Sequence, residues 1–225
     1  MDLRSVIVPD VMEAEFLAAQ DYVEKYFAGL RMDPAEGTIT VGRDRYIIVR
    51  AASLSVRLLE LITDMYPALD RAEALDASAR VMYDLARAIG QGDARHFHEA
   101  TKVKKPIEKL STGPVHFSYT GWAKVSILPE SRPSPDESFF LVYDHLNTFE
   151  SDSWIARGEA VDFCTCHWSA GYSAGWCTES FDVPLDAREF TCRSKGDGRC
   201  RFVMAHRERI AERLEAWIGG HPGDR

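Results

Sequence analysis

The sequence predicts an α+β protein: mixed helices and short antiparallel strands, with a zinc-clipped C-terminal hairpin and a terminal helix. Three observations predict it. Apolar residues recur at helical spacing in several long segments, β-rich runs come in neighbouring pairs around glycine-containing turns, and no strand–helix–strand alternation or internal repeat is present. At 225 residues the chain is about one and a half times the ~150-residue domain prior, enough to bury a substantial core.

From the N-terminus, Phe16, Leu17, Val23, Phe27 and Leu30 predict a helix over 13–30. Thr38 to Val41 and Tyr46 to Arg50 read as a hairpin with the four-residue loop Gly42 to Arg45. Ser53 is placed to cap a helix to about Tyr66 that buries Leu54, Leu58, Leu61, Ile62 and Met65. Another helix, 73–89, buries Leu75, Val81, Met82, Leu85 and Ile89 and stops at Gly90. Residues 93–112 are helical with a break at Pro106. Beyond Gly113-Pro114 the pattern predicts strands over 116–128 and 139–143, with Pro129 to Glu137 as a mobile loop between them. Residues 159–176 read as a helix whose Ala170, Gly171, Ser173, Ala174 and Gly175 suit close backbone approach. Leu185 to Arg193 and Arg201 to Ala205 form a second hairpin around Gly196-Asp197-Gly198. A last helix, 206–218, carries Ile210, Leu214, Trp217 and Ile218, and the Gly/Pro-rich tail frays.

Asp plus Glu (35) outnumber Lys plus Arg (27), for a net charge of −8, and no basic stripe is present; direct nucleic-acid binding is therefore not expected. The longest apolar stretches, Tyr46 to Val49 and Phe139 to Val142, fall far below the ~20 residues of a membrane span, and the first residues turn acidic before a signal-peptide core forms. A cytoplasmic protein is expected. No phosphate loop, nucleophile elbow, zinc-protease helix or basic helix-turn-helix is found, so no enzyme activity is expected. His96 and His98, at i and i+2, do not share a helix face and are not read as a metal site.

All five cysteines (Cys164, Cys166, Cys177, Cys192, Cys200) fall in the last third of the chain. Cys166, Glu189, Cys192 and Cys200 could close a tetrahedral zinc shell with no open position, hence a structural ion. Structural zinc contributes roughly 10–16 kcal/mol in small peptides, comparable to a whole domain's stability. Glu189 and Cys192 would point to opposite faces of a regular strand, so that strand must bulge or end between them. Buried free cysteines beside a surface glutamate, or a Cys192–Cys200 disulfide, fit the same spacing. Cys164 and Cys177 are read as packing residues.

The run Cys166-His-Trp-Ser-Ala-Gly171-Tyr172-Ser-Ala-Gly175, followed by Arg188-Glu189-x-x-Cys192-x-x-x-Gly196-Asp197-x-x-Cys200-Arg201, resembles the 4-vinyl reductase domain. It is more similar still to that domain as it closes the sensor region of bacterial activators that respond to phenol and xylene. The resemblance extends through Gly37-Thr-Ile-Thr-Val, Arg50-Ala-Ala-Ser-Leu, Gly113-Pro114 and Asn147-Thr148-Phe149-Glu150. It implies zinc on Cys166, Glu189, Cys192 and Cys200, a buried aromatic-effector pocket just ahead of the zinc, and a homodimer. Matching pocket positions are Phe117, placed on a strand, Tyr143, His145 and Trp176, with His116 one position from the family's polar effector contact. His145 stands where the family often has tryptophan, so phenol itself is not carried over.

Without the resemblance, an ordinary aromatic core with one satisfied histidine fits the same residues. A phenol-sized ligand of about seven heavy atoms can gain roughly 10 kcal/mol at most, and micromolar binding needs about 8, so its pocket must be nearly closed. The 129–137 loop or the stretch near Pro106 is the candidate gate.

The expected organisation is 1–112, the N-terminal helical and hairpin part; 113–205, pocket and zinc-binding 4-vinyl reductase domain; and 206–225, a signalling helix and tail that reaches an output domain or partner. The family's activators continue into ATPase and DNA-binding domains, so the chain is read as a sensory fragment or a stand-alone relative. The expected function is sensing a small aromatic or apolar molecule to control a signalling or transcriptional output. Rival readings are a tetrapyrrole-handling or reductase-accessory protein, and an adaptor module with a lipid-like pocket.

Overall fold

A five-stranded sheet in the order β1-β5-β6-β8-β7 carries helices on both faces, in a computed structural model that describes residues 2–221. Its strands are β1 (Val6–Ile7), β5 (Lys124–Ile127), β6 (Phe140–Leu146), β7 (Leu185–Thr191) and β8 (Cys200–His206). All neighbours pair antiparallel except β1, which lies parallel to β5. β2 (Leu30–Asp33), β3 (Thr38–Val41) and β4 (Asp44–Tyr46) form a separate three-stranded meander. The helices are α1 (Glu13–Phe27), α2 (Leu58–Asp64), α3 (Arg71–Thr101), α4 (Pro106–Tyr119), α5 (Phe149–Arg157), α6 (His167–Phe181) and α7 (Ile210–Gly220). The α+β class is as the sequence predicts.

The period-2 alternation of β6 and β8 divides the interior. Leu141, Tyr143, Phe202 and Met204 join the large core beneath the α1, α3, α4 and α6 layers, whereas Val142, Val203 and Ala205 pack with Ile210 and Trp217 of α7. On that second face Asp144 and Arg201, paired across the strands, make a buried bidentate ion pair at 2.6 and 2.9 Å.

Several predicted elements are corrected. The first helix stops at Phe27, and Leu30–Asp33 pairs with β3 as an extra strand. The first hairpin turns on two residues rather than four: Gly42 at φ +60° makes Val41 face Asp44 directly, as Gly at the first turn position allows. The second strand of that hairpin ends at Tyr46, leaving Ile47 and Ile48 exposed.

Ser53 caps nothing, because the helix already runs at 51 and opens with a π turn over Ser53–Arg57. The added residue per turn advances the buried face by about 100°, so Val56, Leu59 and Ile62 are buried while Leu61 and Met65 are not.

The helix predicted to stop at Gly90 continues to Thr101, since Gly90 lies on a buried stripe of mostly small residues with Ala74, Ser78, Met82, Ala86 and Ala94; Leu85 and Ile89 face out. That stripe is a helix-packing surface. A Cβ at Gly90 would run into the Tyr172 carbonyl, and Cβ atoms at Gly171 and Gly175 of α6 would run into the Tyr83 and Arg87 carbonyls. The two backbones touch because both helices give up side chains.

The break at Pro106 is present: Lys102 takes a left-handed conformation and Pro106 starts α4 at the position where proline is tolerated best. α4 then runs through Gly113 and Pro114, so 116–119 is helix, and only Lys124–Ile127 of the predicted strand forms. The 112/113 boundary falls inside α4.

Residues 159–166 are not helical, while α5, unpredicted, starts at its Thr148 cap. The 129–137 loop is laced down by a Ser131 hydroxyl that bonds both Val142 N and O and by an Arg132–Phe140 bridge. Residues 222–225, where the frayed tail was expected, lie outside the described residues.

Candidate functional site

The strand β7 does bulge between Glu189 and Thr191, and the chain then turns through Arg193–Lys195 to Gly196 at φ +97°. Asp197 accepts from Cys192 N at 2.7 Å and fixes this turn. The bulge swings Glu189 and Cys192 to one side, toward Cys200 at the start of β8 and Cys166 just ahead of α6. One ligand atom from each of the four residues falls within 4.8 Å of all the others. The Cys166–Cys200 and Cys200–Cys192 sulfurs are 3.7 and 3.9 Å apart, close to the roughly 3.8 Å edge of a tetrahedron built on ~2.3 Å metal–sulfur bonds. Among the described residues the cysteines are free, so the Cys192–Cys200 disulfide is not formed.

The surroundings suit anionic ligands. Thr148 Oγ1 lies 3.1 Å from Cys166 Sγ, Ser194 Oγ 3.0 Å from Cys192 Sγ, and Arg193 N donates to Cys200 Sγ at 3.4 Å. Glu189 Oε2 accepts from Cys166 N at 2.9 Å, while Oε1 is buried without a partner. Burial pushes the Cys166 thiol and the Glu189 carboxyl well up, and donation by Cys166 and Cys200 holds the Cys192 thiol well down. Four acids packed together this way ionise together only around a cation, which these residues fit.

Next to the cluster, Glu150 of α5 is fully buried and accepts from Trp168 N and Ser169 N at 2.8 and 2.9 Å, closing the N-terminus of α6. Burial pushes its carboxyl up to about 8. The sequence reading named Glu150 within a motif and gave it no role.

The same strands build the pocket. Between α4, α6 and the inner face of β5, β6 and β8 lies an apolar cavity of about 40 Å³, well below the ~300–1,000 Å³ of usual small-molecule sites, so holding an aromatic molecule requires the wall side chains to move apart. Phe117, Tyr143, His145 and Trp176 all line it. Phe117 reaches it from α4, not from a strand, which corrects the expected placement. Gly113 makes room for Trp176, whose indole would collide with any Cβ there and which donates to the Lys109 carbonyl at 3.1 Å.

His116 does not line the cavity. It points to the far side, where Nδ1 meets the Tyr172 hydroxyl at 3.1 Å and its ring stacks on Trp176. Tyr172, Ser173, Cys177 and Met204 line the wall and were missed as site residues, although Tyr172 and Ser173 stood in the quoted motif and Cys177 lies one position after Trp176. His96 pairs with Asp44, and His98 lies near the Lys109 carbonyl.

Polar groups in the cavity are few and unspent. The Tyr143 hydroxyl and both ring nitrogens of His145 are buried without hydrogen-bond partners. Ser173 faces the Tyr143 phenol without closing a bond of normal geometry. Burial lowers His145 to about 3, so its ring is neutral at pH 7. His145 is also the cross-strand partner of Cys200, so pocket and cluster share one residue pair.

No protein-family model matches the chain. It is 22% identical over 174 residues to the transcriptional regulatory protein XylR of Pseudomonas putida, covering 77% of this chain and 29% of XylR. It is 21% identical over 184 residues to the phenol regulator MopR of Acinetobacter guillouiae, covering 82% of this chain and 31% of MopR. The chain thus spans about a third of the length of these relatives, which are named as regulators rather than enzymes.

Among solved structures, the phenol-responsive sensory domain of the transcription activator PoxR, determined with phenol, superposes with a TM-score of 0.70 at 18% identity, over 92% of this chain and 97% of that one. A fainter likeness, TM-score 0.46, to a palmitate-bound trafficking-complex subunit of Naegleria fowleri carries no functional argument. No helix among the described residues is long and apolar enough to cross a membrane. The chain has the fold of the PoxR sensory domain and is a sequence relative of the regulators XylR and MopR.

Proposed function

We propose that this chain is a sensory domain that binds a small aromatic or apolar molecule and biases a bacterial transcriptional or signalling output. The observation that carries this reading is the buried, aromatic-lined cavity with unpartnered polar atoms on Tyr143 and His145. Its position in a fold shared with the phenol-responsive domain of PoxR supports it. Phe117, Tyr143, His145 and Trp176 hold the ligand, and His116 acts from behind by bracing Trp176 and Tyr172. Ligand binding shifts an equilibrium only by its differential affinity for two states, and α7, packed on the outer face of β6 and β8, is the element that reads the shift.

In the same proposal zinc is held by Cys166, Glu189, Cys192 and Cys200. The closed set of four ligands makes it a structural ion that clips the β7–β8 hairpin to α6. Residues 113–205 are the 4-vinyl reductase part, 206–225 lead to an output domain or partner, and the protein works in the cytoplasm as a homodimer.

Mass spectrometry of the purified protein under native and denaturing conditions, followed by titration with toluene and phenol, tests both halves. A zinc-sized increment per chain and saturable aromatic binding are expected. No increment and no binding would leave only the shared fold.

A further inference from the structure

At about 40 Å³ the cavity falls short of the roughly 150 Å³ that holds a benzene ring in a dry protein core, so a wall must yield about 110 Å³ before an aromatic ligand fits. Two walls are stiff. α6 is pressed onto α3 with Gly171 against the Tyr83 carbonyl and Gly175 against the Arg87 carbonyl, and β6 and β8 lie inside the sheet with a bonded neighbour on each side. The remaining wall is α4, whose Leu110, Gly113, Pro114 and Phe117 fall at i, i+3, i+4 and i+7 and form one stripe on the cavity. α4 hangs between two turns: Lys102, at φ +56°, and extended Lys105 precede it, and Gly121, at φ +80°, follows it. Pro114 has no N–H to give the Leu110 carbonyl, so a rung of the helix is missing where it borders the cavity. Behind α4 there is room. Glu108 and Thr112, on the opposite side of the helix from the cavity stripe, line a surface groove of about 350 Å³ whose α1 bank includes the small residues Ala14, Ala18 and Ala19.

We infer that α4 is the movable wall of the cavity: a ligand is admitted when α4 retreats into the alanine-lined groove against α1 while α6 keeps its seat on α3. This inference rests on the reading of the cavity as an aromatic-effector site. The sizes agree. Leu110 to Phe117 present ~10 Å of a helix ~10 Å wide, so each ångström of mean retreat along that length opens about 100 Å³, which the groove can absorb. The bonds that loosen are those at the Lys109 carbonyl, which accepts from Trp176 Nε1 at 3.1 Å and faces His98 Nε2 at 3.3 Å. Of the two gates the sequence suggested, the 129–137 loop contributes no residue to the cavity lining, whereas the stretch near Pro106 is the hinge from which α4 swings.

The test fills the groove and leaves the cavity lining untouched. Ala14→Leu combined with Ala18→Leu places two leucines, one turn apart on exposed positions of α1, in the space behind α4 at little cost in helix propensity. Calorimetry on the intact, metal-loaded protein with toluene and phenol reads affinity, and Tm and metal content are read alongside. The double variant is expected to fold, to keep its Tm and metal, and to bind both probes about tenfold more weakly than the native chain. Ala72→Leu, at an exposed alanine of α3, is the control and binds as the native chain does. A toluene-bound crystal structure of the native chain, set beside the ligand-free one, is expected to show α4 nearer α1 with α6 in place on α3, and it decides the matter should the double variant fail to fold. Unchanged affinity in a folded double variant, or a bound structure in which α6 has moved and α4 has not, overturns the inference and leaves the aromatic-sensor reading standing. Binding of neither probe to the native chain overturns both.

Discussion

At the cysteine cluster, polar atoms are tied down. Cys166 meets a threonine hydroxyl, Cys192 a serine hydroxyl, Cys200 a backbone N–H, and only Glu189 Oε1 lacks a partner. In the cavity on the other side of the His145–Cys200 pair, the reverse holds: Tyr143 and His145 are left with nothing to bond. The difference teaches how one hairpin serves two ends. A cluster with most of its polar atoms bonded ties β7, β8 and the start of α6 together, and on that frame the fold can keep a few polar groups unsatisfied for a ligand to complete.

Cys192→Ser is the largest break. It is expected to lose the metal, and since 1 kcal/mol shifts the midpoint of a chain this size by about 2–4 °C, the loss of a structural ion lowers Tm by roughly 10 °C or more. Native mass spectrometry and calorimetry check this, and a variant with full metal content and unchanged Tm contradicts the cluster's role.

Gly175→Ala comes next. Its Cβ meets the Arg87 carbonyl, so α6 must shift at a cost of about 1–3 kcal/mol. Because Trp176 and Tyr172 move with it, ligand affinity is expected to fall while the metal stays bound.

His145→Ala sharpens the comparison from the other side. Ligand affinity is expected to drop about tenfold at unchanged metal content, with Tm nearly constant. Unchanged affinity would remove His145 from the site.

The smallest effect is with pH. His145 has its folded value depressed to about 3, below the ordinary 6.5, so it contributes stability that is present above pH 6.5 and lost as pH falls toward 3. Denaturant midpoints at pH 7 and 5 are expected to differ less in His145→Phe than in the native chain. Ligand affinity is expected to stay flat between pH 6 and 8, because the ring does not titrate there.

The legible parts were those encoded by local spacing. Glu189-x-x-Cys192 announced a bulge that brings the two residues together, the small residues of 170–175 announced close helix packing, and Pro106 announced a break. What misled was local too. Gly90 looks like a stop signal, but α3 uses it to touch Tyr172. Gly113-Pro114 looks like the end of a helix, yet α4 continues through both, and the missing Cβ of Gly113 leaves room for Trp176. The π turn at Ser53 changed which leucines are buried, and no residue pattern marked it.

By itself the sequence determined the α+β class and the pairing of Glu189 with Cys192 through a bulge, since these depend on residue types at short separations, while Phe117, Tyr143, His145 and Trp176 were singled out by a family resemblance rather than by spacing. Only the tertiary structure decided that Phe117 enters the cavity from a helix and His116 turns away from it, because i and i+1 on a helix diverge by about 100° whereas strand neighbours would oppose. It alone placed Tyr172, Ser173, Cys177 and Met204 on the wall and set Cys200 against His145. Those relations arise from packing elements tens of residues apart, and no local window contains them.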